Sequence, residues 1–272
     1  MNKNDKTIKI IATDMDGTFL NDDKQYDLDL FKKVRNQLKE KDIKFVIASG
    51  NQYQHLVDVF KDSKNELTYI ADNGAVIIDN GEIINQTFID IHELHKSLDL
   101  LKSRKVLDNG LIVLSGQSDA YIEKSTPEEF FKEGKKYYRN IKLVNSLYDI
   151  TDKIYKIALA WPDQDVREKV DFLKKELPNL HITSSGFGGI DIIPNGVNKG
   201  TAISFLQNRF SLNNSQIVAF GDSDNDFELL KQVEKSYAMK NANSKIKSIA
   251  RYRTSWDNND NGVLKTILQL VN

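Results

Sequence analysis

The sequence contains no cysteine. That removes disulfide frameworks, thiolate nucleophiles and Cys-based zinc sites together, and it fits a reducing cytosol. Histidine is scarce as well, with four residues: His55, His92, His95 and His181. None falls in a motif. His92 and His95 stand three apart on an expected helix, but two imidazoles without further ligands do not make a metal centre. An excess of either charge is also missing, since 38 Lys and Arg face 39 Asp and Glu for a net charge of -1. No global field then attracts nucleic acid or an acidic membrane, and an anionic ligand must be caught locally. No apolar run approaches the ~20 residues that span a bilayer, and the apolar stretch before Asp14 is too brief for the core of a secretory leader. These absences point to a soluble cytoplasmic protein with neither nucleic acid nor membrane as partner.

What is present has the makings of a large α/β fold. With 40% hydrophobic and 28% charged residues, the 272-residue chain buries a full core. Short β-rich runs ending in polar residues or glycine recur at Ile8–Asp14, Lys44–Gly50, Thr68–Asn73, Gly189–Pro194, Gln216–Asp222 and Lys235–Met239. Between several of them apolar residues fall at helical spacing, as in Leu28, Phe31, Val34 and Leu38, or Ile203, Phe205, Leu206 and Phe210. Strand–helix–strand alternation predicts a parallel sheet with helices on both faces. In such a sheet the ligand site lies beyond the carboxyl ends of the strands. Asp14, Ser49-Gly50, Asn73-Gly74 and Gly221-Asp222 each close a run and so converge on one crevice.

The middle of the chain, from about Gly81 to Ser185, carries its own strand-like and helical runs and reads as an inserted α+β unit. Its return is expected at Ser184-Ser185-Gly186-Phe187-Gly188-Gly189, with Gly81 and Gly186–Gly189 as hinge candidates. Tyr137 and Tyr138, in a Lys-rich stretch, are expected on a mixed surface, and Trp161 and Trp256 as packing anchors. The polar run Asp257–Gly262 lacks the spacing and terminal Glu of a calcium loop and reads as a plain loop.

Acidic residues fill about one position in seven, so chance supplies roughly five pairs two apart, and Asp14-x-Asp16 means little by spacing alone. Its context carries the argument. The pair follows a buried strand, and Gly17-Thr18 suits a sharp exit from it. A second acidic group, Asp222-Ser223-Asp224-Asn225-Asp226, follows another strand. Oxygen ligands from two strand ends suit Mg2+: Asp14 and Asp222 as carboxylates, the Asp16 carbonyl as a third, and Asp226 to orient them. Helix capping is the competing role for Asp224 and Asp226. Phosphoryl transfer also needs donors and positive charge, which Ser49, Gly50 and Lys199 offer. Lys199 opens an expected helix, where a cation is unfavourable unless it meets an anion.

Asp14-Met15-Asp16-Gly17-Thr18, Ser49-Gly50, Lys199-Gly200 and Gly221–Asp226, in this order, resemble the four motifs of the haloacid dehalogenase (HAD) superfamily. The large insert after Ala71-Asp72-Asn73-Gly74-Ala75 resembles its Cof-type branch, and Ala48–Tyr53 with Thr183–Gly188 is similar to bacterial sugar-phosphate phosphatases. The resemblance implies a Rossmannoid core, 1–84 and 187–272, with an α/β cap, 85–186, that sets substrate specificity. It implies that Asp14 attacks phosphorus to form an aspartyl-phosphate while Asp16 acts as acid and then base. It assigns Mg2+ to Asp14, Asp16 and Asp222, with Asp226 in support, and phosphate to the Met15 backbone, Ser49, Gly50, Lys199 and Asn225. Many Cof-type proteins carry Arg where this chain has Asn51, so one fixed charge for a second anionic group is missing. The expected activity is hydrolysis of small phosphorylated metabolites, sugar monophosphates first. Nucleotide, flavin or pyridoxal phosphates and a phosphosugar mutase reaction are the nearer alternatives. A receiver-like phosphoacceptor switch is the alternative of another class.

Overall fold

The computed structural model describes residues 7–103, 110–161, 166–186 and 188–271. Phe187 of the expected junction, and residues 1–6 and 272 of the expected core, lie outside them. The chain begins with β1 (Ile10–Thr13), α1 (Leu28–Glu40), β2 (Lys44–Ala48), α2 (Tyr53–Val59), β3 (Thr68–Ala71), β4 (Val76–Asp79) and β5 (Glu82–Gln86). The middle holds α3 (Ile91–Ser103), β6 (Leu111–Gly116), β7 (Ala120–Glu123), α4 (Glu128–Gly134) and β8 (Ile141–Val144). It continues through β9 (Ile154–Ala160), α5 (Arg167–Glu176), β10 (Leu180–Gly186) and β11 (Gly189–Pro194). The chain then runs through α6 (Lys199–Arg209), β12 (Ile217–Gly221), α7 (Phe227–Gln232), β13 (Lys235–Ala238), α8 (Ser244–Ile249), β14 (Tyr252–Arg253) and α9 (Gly262–Val271).

Two sheets result. The first has the order β14-β13-β12-β1-β2-β3-β4-β5. Its pairings are parallel from β14 to β3, and β4 and β5 add an antiparallel hairpin at one edge. The central strands are buried throughout, as a sheet packed by helices demands. Along α1, the spacing of Phe31, Val34 and Leu38 puts all three in the core, while Leu28 at the helix start is 55% exposed. α1 packs against α9, and α6 against α7.

The second sheet has the order β10-β11-β9-β6-β7-β8 and its own hydrophobic cluster, in which Ile157, Leu159, Ile190 and Ile192 meet Leu94, Leu98 and Leu173 of α3 and α5. Strand alternation sends Lys156, Ala158 and Ala160 of β9 and Asp191 of β11 to the opposite face.

One sequence expectation changes here. The run Gly189–Pro194 was expected in the first sheet, yet it pairs antiparallel with β9 and β10 in the second. All six of its residues are buried, so its pattern mimics a parallel core strand. In sheet membership, the chain leaves the first sheet after Gln86 and returns to it after Pro194, beside the expected junctions at 84/85 and 186/187. The glycines expected as hinges lie at hairpin turns. Asn80 and Gly81 both take positive φ, 51° and 79°, in the two-residue turn between β4 and β5. Gly186 and Gly189 face each other across the β10–β11 turn.

Candidate active site

The register of the first sheet builds the site. Thr13 pairs with both Phe220 and Ile47, and Asp14 N donates to Phe220 O at 3.1 Å, so Asp14, Gly221 and Ala48 end level. Asp222 and Ser49 then follow one residue on, at the same edge. Ser49 N donates to Ile70 O at 2.8 Å, and Asn73 N returns to Ser49 O at 2.9 Å, which brings the loop after β3 to the same edge.

Lys199, the first residue of α6, is fully buried and donates to Oδ1 of Asp14 at 2.5 Å and to Oδ1 of Asp226 at 2.6 Å. Burial alone would push its ammonium down, but Asp14 and Asp226 overcome that, so its pKa stands above the ordinary lysine value. The cation expected to need an anion at a helix start has two. Asp226 also accepts from the backbone N–H of Asp222 at 2.9 Å and of Ser223 at 3.2 Å, so it caps the turn and orients the site at once. Asp224, by contrast, lies outward against Asn243 and Lys245.

Asp14, Asp222 and Asp226 form the one group of three or more potential metal-ligating side chains among the described residues, their carboxylate oxygens within 4.8 Å of one another. Burial first, and neighbouring carboxylates next, push Asp222 up to about 7; Asp14 is raised as well, by burial most of all and against the pull of Lys199. Thr18 Oγ1 donates to Asp222 Oδ1 at 2.6 Å. Gly17 has φ 78°, and a Cβ on it would stand 2.7 Å from Asp222 Oδ2, so glycine keeps open the space beside that oxygen. Crowded all-oxygen donors at two strand ends, two of them buried and Asp222 half-buried, fit a small hard dication.

The Asp16 side chain turns away from this group. Its two oxygens accept from Lys24 Nζ at 2.7 Å and from Asn51 Nδ2 at 2.9 Å. Both donors go beyond the sequence expectations, in which Lys24 falls in no motif and Asn51 counts only as a missing charge. Asn225 Nδ2 reaches Asn73 Oδ1 at 3.2 Å, and Asn73 Nδ2 reaches Asp191 Oδ2 at 2.6 Å. The site thus joins Asp14, Asp16, Ser49, Gly50, Lys199, Asp222, Asn225 and Asp226 at one sheet edge. His92 and His95 belong to no group of potential ligands among the described residues. The polar run Asp257–Gly262 serves as a fastener: Asn258 Nδ2 donates to Leu20 O at 3.1 Å and to Asp22 Oδ1 at 2.9 Å.

A cavity of about 640 Å³ covers the site. From the first sheet it is lined by Asp14, Asp16, Ser49, Gly50, Asn51 and Asn225; from the second layer come Leu111, Val113, Ala158, Ala160, Phe130 and Trp161. Tyr137 and Tyr138, expected on a mixed surface, line this cavity too, because they follow α4 on the face of the second sheet that covers the site.

A strand-end aspartate beside a buried lysine and two further carboxylates, roofed by a second sheet, is an arrangement suited to phosphoryl transfer. The chain belongs to the haloacid dehalogenase-like hydrolase family, whose model matches residues 11–267. Within it the chain is a Cof-type phosphatase, a phosphoric monoester hydrolase. It is 32% identical to 5-amino-6-(5-phospho-D-ribitylamino)uracil phosphatase YbjI of Escherichia coli (strain K12), over 96% of this chain and 95% of that one. A Bacillus subtilis (strain 168) enzyme of the same description, YcsE, is 26% identical over 99% and 98%. The crystal structure of SMU.1108c from Streptococcus mutans UA159 superposes with a TM-score of 0.92 at 34% identity, covering 97% of this chain and 99% of that one. No helix among the described residues is long and apolar enough to cross a membrane.

Proposed function

We propose that the protein is a cytoplasmic Mg2+-dependent phosphatase of a sugar or sugar-alcohol monophosphate that carries a planar ring. The observation that carries this reading is the composition of the cavity: Asp14 lies in a polar floor, and the second layer adds, beside Lys156, Asp191 and Glu129, a broad apolar and aromatic surface from Leu111 to Trp161. A bare sugar phosphate presents hydroxyls on every face and would leave the apolar and aromatic part of that wall without a partner, whereas a ring fills it. The curated relatives, which act on a phosphoribityl-aminouracil, support the same combination of phosphate, polyol and ring.

In this reading the segment from Thr87 to Pro194 is the specificity cap. Asp14 attacks phosphorus and forms an aspartyl-phosphate as the bond to the ester oxygen breaks. Asp16, in its protonated form, gives a proton to the departing oxygen and, as the carboxylate held by Lys24 and Asn51, then takes one from the water that hydrolyses the phosphoenzyme. Lys199, Ser49, Asn225 and the backbone of Met15 and Gly50 hold the phosphoryl oxygens. Asp14, Asp222 and the Asp16 carbonyl would hold Mg2+, with Asp226 orienting them. A bound Mg2+ would supply positive charge against the phosphoryl oxygens and the nucleophilic carboxylate.

A steady-state comparison tests the substrate class. The value of kcat/KM for a phosphoribityl pyrimidine is expected to exceed that for ribose 5-phosphate by about a hundredfold, from burial of the ring. Equal values for the two would remove the ring from the proposal.

A further inference from the structure

Lys156 stands mid-strand in β9, in the run Ile154-Tyr155-Lys156-Ile157-Ala158, and is only 3% exposed. An ammonium withdrawn from water is costly unless oxygens replace the lost hydration. Lys156 draws its oxygens from both layers. Its Nζ donates to the carbonyl of Gly50, the residue after Ser49 in the loop beyond β2. It stands 3.5 Å from Oδ1 of Asp72, beyond β3, and 3.5 Å from Oδ1 of Asp191 on β11. Asp191 is linked onward through Asn73 to Asn225. Two of the phosphate-binding loops, carrying Gly50 and Asn225, are thereby joined to one ion pair of the second sheet. The steps assigned above to Asp14, Asp16, Lys199 and Asp222 use neither member of that pair.

The space around Gly50 is tight. A Cβ there would lie 3.2 Å from both Asn73 Oδ1 and Asp191 Oδ2. The Gly50 peptide is therefore held at its carbonyl by Lys156, and its α-carbon faces Asn73 and Asp191 with little room for a side chain.

We propose that Lys156 and Asp191 form a positioning pair that fixes the Gly50 peptide and the Asn73–Asn225 link, so that the phosphate pocket is preorganised by the seating of the second sheet. The inference rests on the phosphatase reading but not on the identity of the leaving group. Removal of the ammonium leaves the Gly50 carbonyl without this donor and leaves Asp72 and Asp191 facing a shared buried gap. The loop then shifts, and the donors around the phosphoryl group lose their alignment.

Lys156→Met, Lys156→Arg and Asp191→Asn, made in the full chain, test this with p-nitrophenyl phosphate turnover and with inorganic phosphate binding by calorimetry. Lys156→Met is expected to lower kcat by about tenfold or more and to weaken phosphate binding by a similar factor, with Lys156→Arg recovering part of both. A pair that only glues the layers together would lower the melting temperature while leaving kcat and phosphate affinity within about twofold of the parent, and that result overturns the proposal. Should Lys156→Met not fold, Asp191→Asn decides: phosphate binding weakened about fivefold supports the proposal, and unchanged binding overturns it. Calorimetry does not depend on turnover, so an inactive parent protein would count against the phosphatase reading while the change in phosphate affinity still decides this one.

Discussion

Lys199 places its ammonium 2.5 Å from Oδ1 of Asp14, although the two residues are 185 positions apart. The same ammonium meets Asp226 at 2.6 Å, and neither carboxylate is more than 6% exposed at the side chain. One buried cation thus holds Asp14, the proposed nucleophile, and the residue that caps the turn carrying Asp222.

Removing that cation leaves two buried carboxylates turned toward each other. Lys199→Met is expected to lower the free energy of unfolding by about 3 kcal/mol and kcat by more than about a hundredfold. Urea unfolding at neutral pH and steady-state turnover check the two figures. Unchanged stability would mean that the pair is not held as described.

Asp72 gives a pH dependence of opposite sense to an ordinary salt-bridged carboxylate. Burial first, with Lys156 opposing it, lifts the Asp72 carboxyl from 3.8 to about 6. The folded protein then retains a proton there that the unfolded chain releases at lower pH. Its stabilising contribution is fully present below the unfolded value and is lost as pH rises through about 6. Asp72→Asn should therefore gain stability relative to the parent as pH climbs from 4 to 7, by about 2 kcal/mol in total. Paired urea titrations at several pH values measure the difference; one that does not change with pH contradicts the assignment.

Gly17 is needed for its conformation and for the room it leaves beside Asp222. Gly17→Ala forces a side chain onto φ 78° and against Asp222 Oδ2, so the Mg2+ concentration giving half-maximal activity is expected to rise about tenfold or more. Chelation of the metal should abolish turnover in the parent protein, and Mg2+ should raise the melting temperature of the parent but not of Asp222→Asn. Full activity in excess chelator would remove the metal from the account.

Trp161 separates cavity from chemistry. It belongs to the apolar wall, and its indole packs where a Cβ on Gly110 would come within 2.6 Å. Trp161→Ala should lower kcat/KM for a phosphoribityl pyrimidine by about tenfold while changing that for acetyl phosphate by less than about threefold. Equal losses on both substrates would place Trp161 in the support of the site as a whole.

Much of the catalytic edge was legible in the chain. Asp14, Ser49, Asp222 and Lys199 each follow a β-rich run or open a helix, and in a parallel sheet all strand ends of that kind reach one edge. Order along the chain then stood in for geometry. The second layer was less legible because antiparallel strands can pair with either sheet, and Gly-Ile-Asp-Ile-Ile-Pro carries no mark of which. A signal was nonetheless available. Lys156 and Asp191 each interrupt an otherwise apolar run, and an isolated charge in a buried strand calls for a partner. The partnership of Asn51 and Lys24 with Asp16 had no such mark, since it depends on how the loop after Gly17 folds back. Tyr137 and Tyr138 were read from their Lys-rich neighbours, whereas their place beyond α4 turns them toward the cavity.

The central claim is that Asp14 carries the phosphoryl group in turnover. Rapid acid quench during hydrolysis of p-nitrophenyl phosphate with Mg2+, followed by peptide mass spectrometry, tests it directly. The account predicts one phosphoryl group on the peptide containing Asp14 and none in Asp14→Asn, which should also be inactive. A phosphoryl group on another residue, or hydrolysis persisting in Asp14→Asn, would contradict it.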